Sequence, residues 1–196
     1  DAVLGTADDA IVRLTALKVS ANQPRSIREL LAELETLRQL GPAALPALRE
    51  FLANGQDADY DAALGKFTLR DGKVPADFIV PPSLRLALLE VAKNIGGAAA
   101  EELLARELKA TGRGVEAGYI ASALEQIAPG KYTALATAAA RDLLAMPLSG
   151  ASKSLLDRSD RDYLYQILTT AGDRSHVATA QTQLLLPNGQ IDRGAL

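Results

Sequence analysis

The sequence predicts an all-α fold, about four successive helical hairpins after one leading helix. Three observations carry this. Apolar residues recur at helical rather than alternating spacing: Leu84, Leu88, Val91 and Ile95 make one row, and Ile120, Ala123, Leu124 and Ile127 another. Aromatic residues are only 4% of the chain, with no Trp, and a core of Leu and Ala suits closely spaced helices better than packed sheets. The breaks at Gly96-Gly97 and Ala128-Pro129 hold only a turn, and so short a link makes two helices antiparallel neighbours.

Taken in order, residues 6–19 form the leading helix. Ala7, Ile11, Leu14 and Leu17 share one stripe, and Thr6 with Asp8 and Asp9 supplies an acidic first turn. Residues 20–25 are a polar break with Pro24. Residues 26–40 are the next helix, lined by Ile27, Leu30, Leu31, Leu34 and Leu37 and stopped by Gly41-Pro42. Residues 43–53 follow, with Leu45, Leu48 and Leu52 in phase. Pro46 falls in the first turn, where a missing N–H is tolerated. Residues 54–82 are an irregular insertion containing Tyr60, Phe67 and Phe78. Its part 66–80, with Asp71-Gly72, reads as a small β-hairpin or a packed loop. Helices follow over 83–95, 98–110, 115–128 and 131–146. Residues 147–153 connect to a helix over 159–171, a break at Gly172-Asp173 and a last helix over 175–186.

The turns share a register. Gly41, Gly96, Ala128 and Gly172 are preceded by Leu40, Ile95, Ile127 and Ala171, and one helical turn earlier stand Leu37, Ala92, Leu124 and Leu168. Ser83-Leu84-Arg85 and Ser159-Asp160-Arg161 place an Arg at the same distance before Gly96 and Gly172, each behind a Ser suited to cap a helix. Through the phrases SLRLALLEVAKNIGG and TLRQLGPAALPALREFL the chain resembles the HEAT-like helical repeats of the armadillo-type α-solenoids. The resemblance covers roughly residues 26–186 apart from the insertion 54–82. It departs from the typical unit in lacking a mid-helix Pro and in its irregular spacing. One hairpin cannot cover its own apolar surface, and stacked hairpins bury it jointly. The resemblance implies one domain over 1–196, wound as a right-handed α-α superhelix. Its concave face, from 43–53, 98–110, 131–146 and 175–186, would bind another protein or another part of a longer chain. The exposed candidates on that face are Arg49, Glu102, Arg106, Lys109, Arg141 and His176. The insertion, where aromatics gather, is a second candidate surface.

Composition narrows the chemistry. A net charge of −3 disfavours a general phosphate-binding surface and weighs against the alternative reading, a nucleic-acid-binding HEAT-like array. There is no Cys, and His176 is the only His, so neither a His-based triad nor a multi-His zinc site arises within this sequence. Asp57, Asp59 and Asp61 imitate the start of a calcium loop. Ala62 and Thr68 stand where Gly and Glu are required, so the run reads as a solvated acidic loop. Gly112, Gly114 and Gly118 have the wrong spacing and context for a dinucleotide fingerprint, and read as a link between hairpins. The charged run from Asp157 to Asp162 reads as capping and local ion pairs. Glu101, Glu102 and Glu107, with Arg106 and Lys109, read as a solvated face carrying a Glu102–Arg106 pair. No nucleophile–base pairing is visible, so the expectation is a non-enzymatic module without cofactor or metal. A helical accessory domain of a larger enzyme is the other alternative. No apolar run approaches the roughly 18 residues needed to span a bilayer. Asp1 in place of Met indicates a processed chain or a piece of a longer one. With the missing Cys, it favours an exported bacterial protein over a cytoplasmic one.

Overall fold

The described segments with a helical apolar period are helical in the computed structural model of the chain, which describes residues 6–20, 22–60, 81–146 and 156–175. The helices are α1 (Ala7–Ala16), α2 (Pro24–Leu40), α3 (Leu45–Ala53), α4 (Leu84–Ile95), α5 (Gly97–Ala110), α6 (Gly114–Ile127), α7 (Thr133–Ala145) and α8 (Asp160–Thr170). Among the described residues there is no strand, so the all-α class holds. The hairpin or packed loop expected over 66–80 lies outside the described residues. So does the helix expected over 175–186, apart from Ser175.

Helix ends follow local chemistry. Thr6 and Asp9 cap α1 reciprocally: Thr6 Oγ1 accepts from the Asp9 amide at 3.2 Å, and the Thr6 amide donates to Asp9 Oδ2 at 3.2 Å. The Thr6 hydroxyl, which donates to Asp9 Oδ2 at 2.7 Å, and after it the Thr6 amide hold the Asp9 carboxyl below its usual range. α1 is shorter than its apolar pattern suggested. Leu17 turns to extended backbone, and Val19 reaches a buried position from the non-helical segment. α2 starts earlier than expected, at Pro24, whose fixed φ suits a first helical position. Gly41 does not separate two helices widely: the 3-10 turn Gly41–Ala44 leads straight into α3.

The shared turn register has a backbone cause. Gly41, Gly96 and Gly172 have φ of 57°, 66° and 69°, a region closed to most side chains by their Cβ. The fourth site holds Ala128, which stays at φ −146°, and Gly130 two residues on takes φ 75° instead.

The chain divides into two compact units, one ending at Glu107 and the other starting, among the described helices, at Leu108. In the first, α1 lies on α2 and α3, and both α2 and α3 lie on α4. In the second, α6, α7 and α8 each lie against the other two. Two helices are enclosed where they begin. Every residue from Leu84 to Lys93 on α4 is buried, as is every residue from Gly114 to Ile120 on α6. The base of the insertion is closed beside α4. The Tyr60 amide donates to the Pro82 carbonyl at 2.9 Å and the Leu84 amide to the Ala58 carbonyl at 3.0 Å. A single β-bridge joins Asp59 to Ser83.

Gly96→Ala tests the turn register. An added Cβ meets nothing closer than the Lys93 carbonyl at 3.9 Å, so the cost is conformational. Urea unfolding should show a loss of about 1 kcal/mol. An unchanged midpoint would show that the left-handed turn is not required.

Candidate functional site

The expected contact residues are solvent-facing where they are described. Arg49 is exposed on α3, Glu102, Arg106 and Lys109 on α5, and Arg141 on α7. His176 lies outside the described residues. Glu102, Arg106 and Lys109 fall at i, i+4 and i+7 and so form one stripe along α5. The expected Glu102–Arg106 pair does not form. Arg106 Nη2 lies 3.5 Å from Glu107 Oε1 instead. Arg141 is not a loose cation either. Its Nη2 lies 2.7 Å from Asp173 Oδ2 and its Nε donates to the same oxygen at 2.8 Å. The Ser175 amide and hydroxyl, ahead of this pair, hold the Asp173 carboxyl below its ordinary range.

The reading of Glu107 as part of a solvated face is overturned. Its side chain is only 5% exposed and stands 3.7 Å from Arg85 Nη2, itself 7% exposed. Arg85 Nη1 donates to the Leu52 carbonyl at 2.7 Å, in the last turn of α3. A cation at a helix C-terminus meets carbonyls that have no partner inside that helix. Arg85 stands near the start of α4 and Glu107 near the end of α5, so their contact sets these two helices antiparallel. Glu90 and Lys93 are buried on α4 as well, with Arg38 of α2 reaching Glu90 at 3.9 Å.

The acidic run at Asp57 has a structural task. Asp57 Oδ1 accepts from the Arg85 amide at 2.9 Å, and Ser83 Oγ accepts from the Leu86 amide at 3.4 Å. With the Ala58 carbonyl on the Leu84 amide, three successive amides of the α4 N-terminus are answered. Ser83 is thus the cap its sequence suggested. Burial, with Asp57 nearby, pushes the Tyr60 hydroxyl above its ordinary pKa. Among the described residues no group of three or more His, Cys, Asp or Glu side chains is placed to hold a metal ion.

The second unit repeats this arrangement with different residues. Asp160, first residue of α8, accepts from the Val115 amide at the start of α6 at 2.8 Å. Arg113, just before α6, donates through Nε to Asp157 Oδ1 at 2.8 Å and through Nη1 to Glu116 Oε1 at 3.0 Å. Thr111 Oγ1 donates to Glu116 Oε2 at 2.9 Å. The charged run at 157–162 therefore does not cap and pair only locally: Asp157 and Asp160 serve α6, more than 40 residues earlier in the chain. Gly114 is glycine because of close approach, not conformation. A Cβ there would collide with the Asp160 backbone.

No protein-family model, no characterised protein and no solved structure matches this chain. The site therefore rests on geometry alone. Sequence periodicity found the exposed stripe on α5 but missed Arg85, Glu107, Glu116 and Asp160. The one available signal was the repeated Ser-x-Arg, which put Arg85 and Arg161 in one register. Arg161 is also engaged, donating through Nη2 to the Tyr165 hydroxyl at 2.8 Å.

Two sets of substitutions test this account. Arg85→Met should destabilise by about 3 kcal/mol, because the buried Glu107 keeps only the half-exposed Arg106 at 3.5 Å and the Leu52 carbonyl loses its donor. Arg25→Gln, which removes the exposed 2.8 Å pair with Glu29, should leave the unfolding midpoint nearly unchanged. Equal effects would refute the special place given to Arg85. Asp57→Ala should cost about 1 kcal/mol as a lost cap. Gly114→Ala should cost about 2 kcal/mol or more by overpacking against the α8 backbone, measured by the same unfolding curves.

Proposed function

We propose that the chain is a non-enzymatic protein-interaction module of HEAT-like hairpins stacked as a right-handed superhelix, and that its second helices carry the contact surface. The observation that carries this reading is a contrast in burial. The first helices α4 and α6 are enclosed at their starts, although α2 keeps Arg25, Arg28 and Glu29 in solvent, whereas the second helices α3, α5 and α7 each expose charged residues. A two-layer repeat array has this asymmetry, with one set of helices in the seams and the other available to a partner. Seams between first helices support it as well: α2 lies on α4 in one unit, and α6 on α8 in the other. The exposed stripe Glu102, Arg106 and Lys109 mixes both signs of charge, which fits a protein partner better than a polyanion. No described helix is long and apolar enough to cross a membrane.

Arg49, Glu102 and Lys109 suit the test best. They are exposed, and their side chains make no hydrogen bond or ion pair among the described residues, so reversing them should not disturb the fold. The triple variant Arg49→Glu, Glu102→Lys and Lys109→Glu should melt within a degree or two of the parent. Its capture of a chemically cross-linked partner from source extract should fall at least about tenfold, roughly 1.4 kcal/mol. Undiminished capture by a folded variant would remove the second-helix surface from consideration.

A further inference from the structure

A single residue of α4 holds both ends of a short stretch of chain. Arg85 Nη1 donates to the Leu52 carbonyl at 2.7 Å, and the Arg85 amide donates to Asp57 Oδ1 at 2.9 Å. Residues 52–57 are thereby clasped onto the buried Arg85. Between the two anchors lies Asn54-Gly55, where α3 ends. The anchors are short bonds, but the middle is loosely held. Residues 53–57 are all exposed, and the Gly55 amide reaches the Leu52 carbonyl only at 3.4 Å. Gly55 takes φ 66°, with open space where a Cβ would stand.

We propose that Asn54-Gly55 is a site of spontaneous deamidation, with the chain's own backbone as nucleophile and water as co-reactant, and that its isoaspartyl product opens the clasp on Arg85. The Gly55 nitrogen gives its proton to hydroxide and attacks Asn54 Cγ, closing a five-membered succinimide ring. The bond from Cγ to the side-chain nitrogen breaks, and that nitrogen leaves as ammonia after taking a proton from water. Water then opens the ring. Cleavage at Cγ restores the main chain and leaves aspartate. Cleavage at the Asn54 backbone carbonyl leaves the main chain running through Cγ, as isoaspartate. In sum one water enters and one ammonia departs, with no oxidant or reductant. Glycine puts no side chain in the path of ring closure. Asn54 has ψ −9°, so the Gly55 nitrogen must swing toward the side chain before it can attack. That requires the frayed last turn of α3 to open, at the 3.4 Å bond. Asn94 is the contrast within the same unit. It lies inside α4 and is followed by the branched Ile95.

The product bears directly on the clasp. Isoaspartate lengthens the main chain by a carbon between the two anchors. It also sets a carboxylate at the C-terminus of α3, where the helix dipole opposes an anion, and close in the chain to Asp57. Leu52 and Asp57 then no longer meet Arg85 together. Asp57 leaves the Arg85 amide, and the enclosed start of α4 loses an acceptor.

The experiment ages the full chain and an Asn54→Ser variant side by side in mildly alkaline buffer at body temperature. Peptides are then weighed, with electron-based fragmentation to separate isoaspartate from aspartate. The Asn54 peptide of the folded parent should become about one mass unit heavier and contain isoaspartate, while the Asn94 peptide stays unchanged. The isoaspartyl fraction, isolated by ion exchange, should show a folded-to-unfolded ratio in urea lower by about fivefold, as for a lost cap. Its Arg85 amide should exchange faster than in fresh parent. Asn188-Gly189 and Asp71-Gly72 are present in both chains, so only the difference between parent and variant is assigned to Asn54. Asn54 unconverted in the folded chain, after a time that converts it in urea, would overturn the site. Equal losses of stability in aged parent and aged variant would overturn the effect on the clasp.

Discussion

A helix enclosed at its start cannot leave its first amides to water, and this constraint governs both units of the chain. The first-turn N–H groups have no acceptor within the helix, and a buried donor without a partner costs about 1–3 kcal/mol. α4 and α6 meet the demand alike. In each, the second helical residue donates to an aspartate from outside the helix: Arg85 to Asp57, Val115 to Asp160. The aspartates come from opposite directions, one from the segment before its helix and the other from the start of a later one. What is shared is the position in the helix, not the sequence around the acceptor.

The same places hold the buried arginines and glutamates. An enclosed ion pair adds little net stability, since desolvation offsets most of the attraction. Its effect is to penalise misalignment. Sliding α5 one turn along α4 would leave Glu107 without Arg85 and the Leu52 carbonyl without its donor. Rows of Leu and Ala fit together in several registers at similar energy, and the Leu/Ala stripes of this chain would do so. The buried charges therefore select the register that the apolar rows leave open.

This explains what could be read from the sequence. The apolar period gave the helices, and the turn glycines gave their ends, because both are local: positive φ at Gly41, Gly96 and Gly172 is a property of single residues. Ser83 was legible as a cap for the same reason. The charged residues were not. Glu107 sits one residue from exposed Arg106 and shares its local pattern, yet one faces Arg85 in the interior and the other water. Asp57 resembled a calcium ligand and Asp157 a local capping residue because their partners, Arg85 and Arg113, stand 28 and 44 residues away. A single sequence carries no mark of such distances.

The foot of α4 also accounts for where a long insertion can sit. The chain passes Tyr60, continues through residues 61–80 and comes back at residue 81, with Tyr60–Pro82 and Ala58–Leu84 bonds closing the base. Loop closure grows only slowly with length, about 0.6 kcal/mol for each doubling. Once the base is held, the number of residues beyond it matters little. The Ala58–Leu84 bond and the Asp57 carboxylate belong at once to the base of the insertion and to the cap of α4. A helix end that had to be capped from outside was thus a natural place to divert the chain, since the diversion brings its own acceptors. The Ala58 carbonyl, the Asp57 carboxylate and the Ser83 hydroxyl thus serve the start of α4 whatever the length of chain between residues 60 and 81.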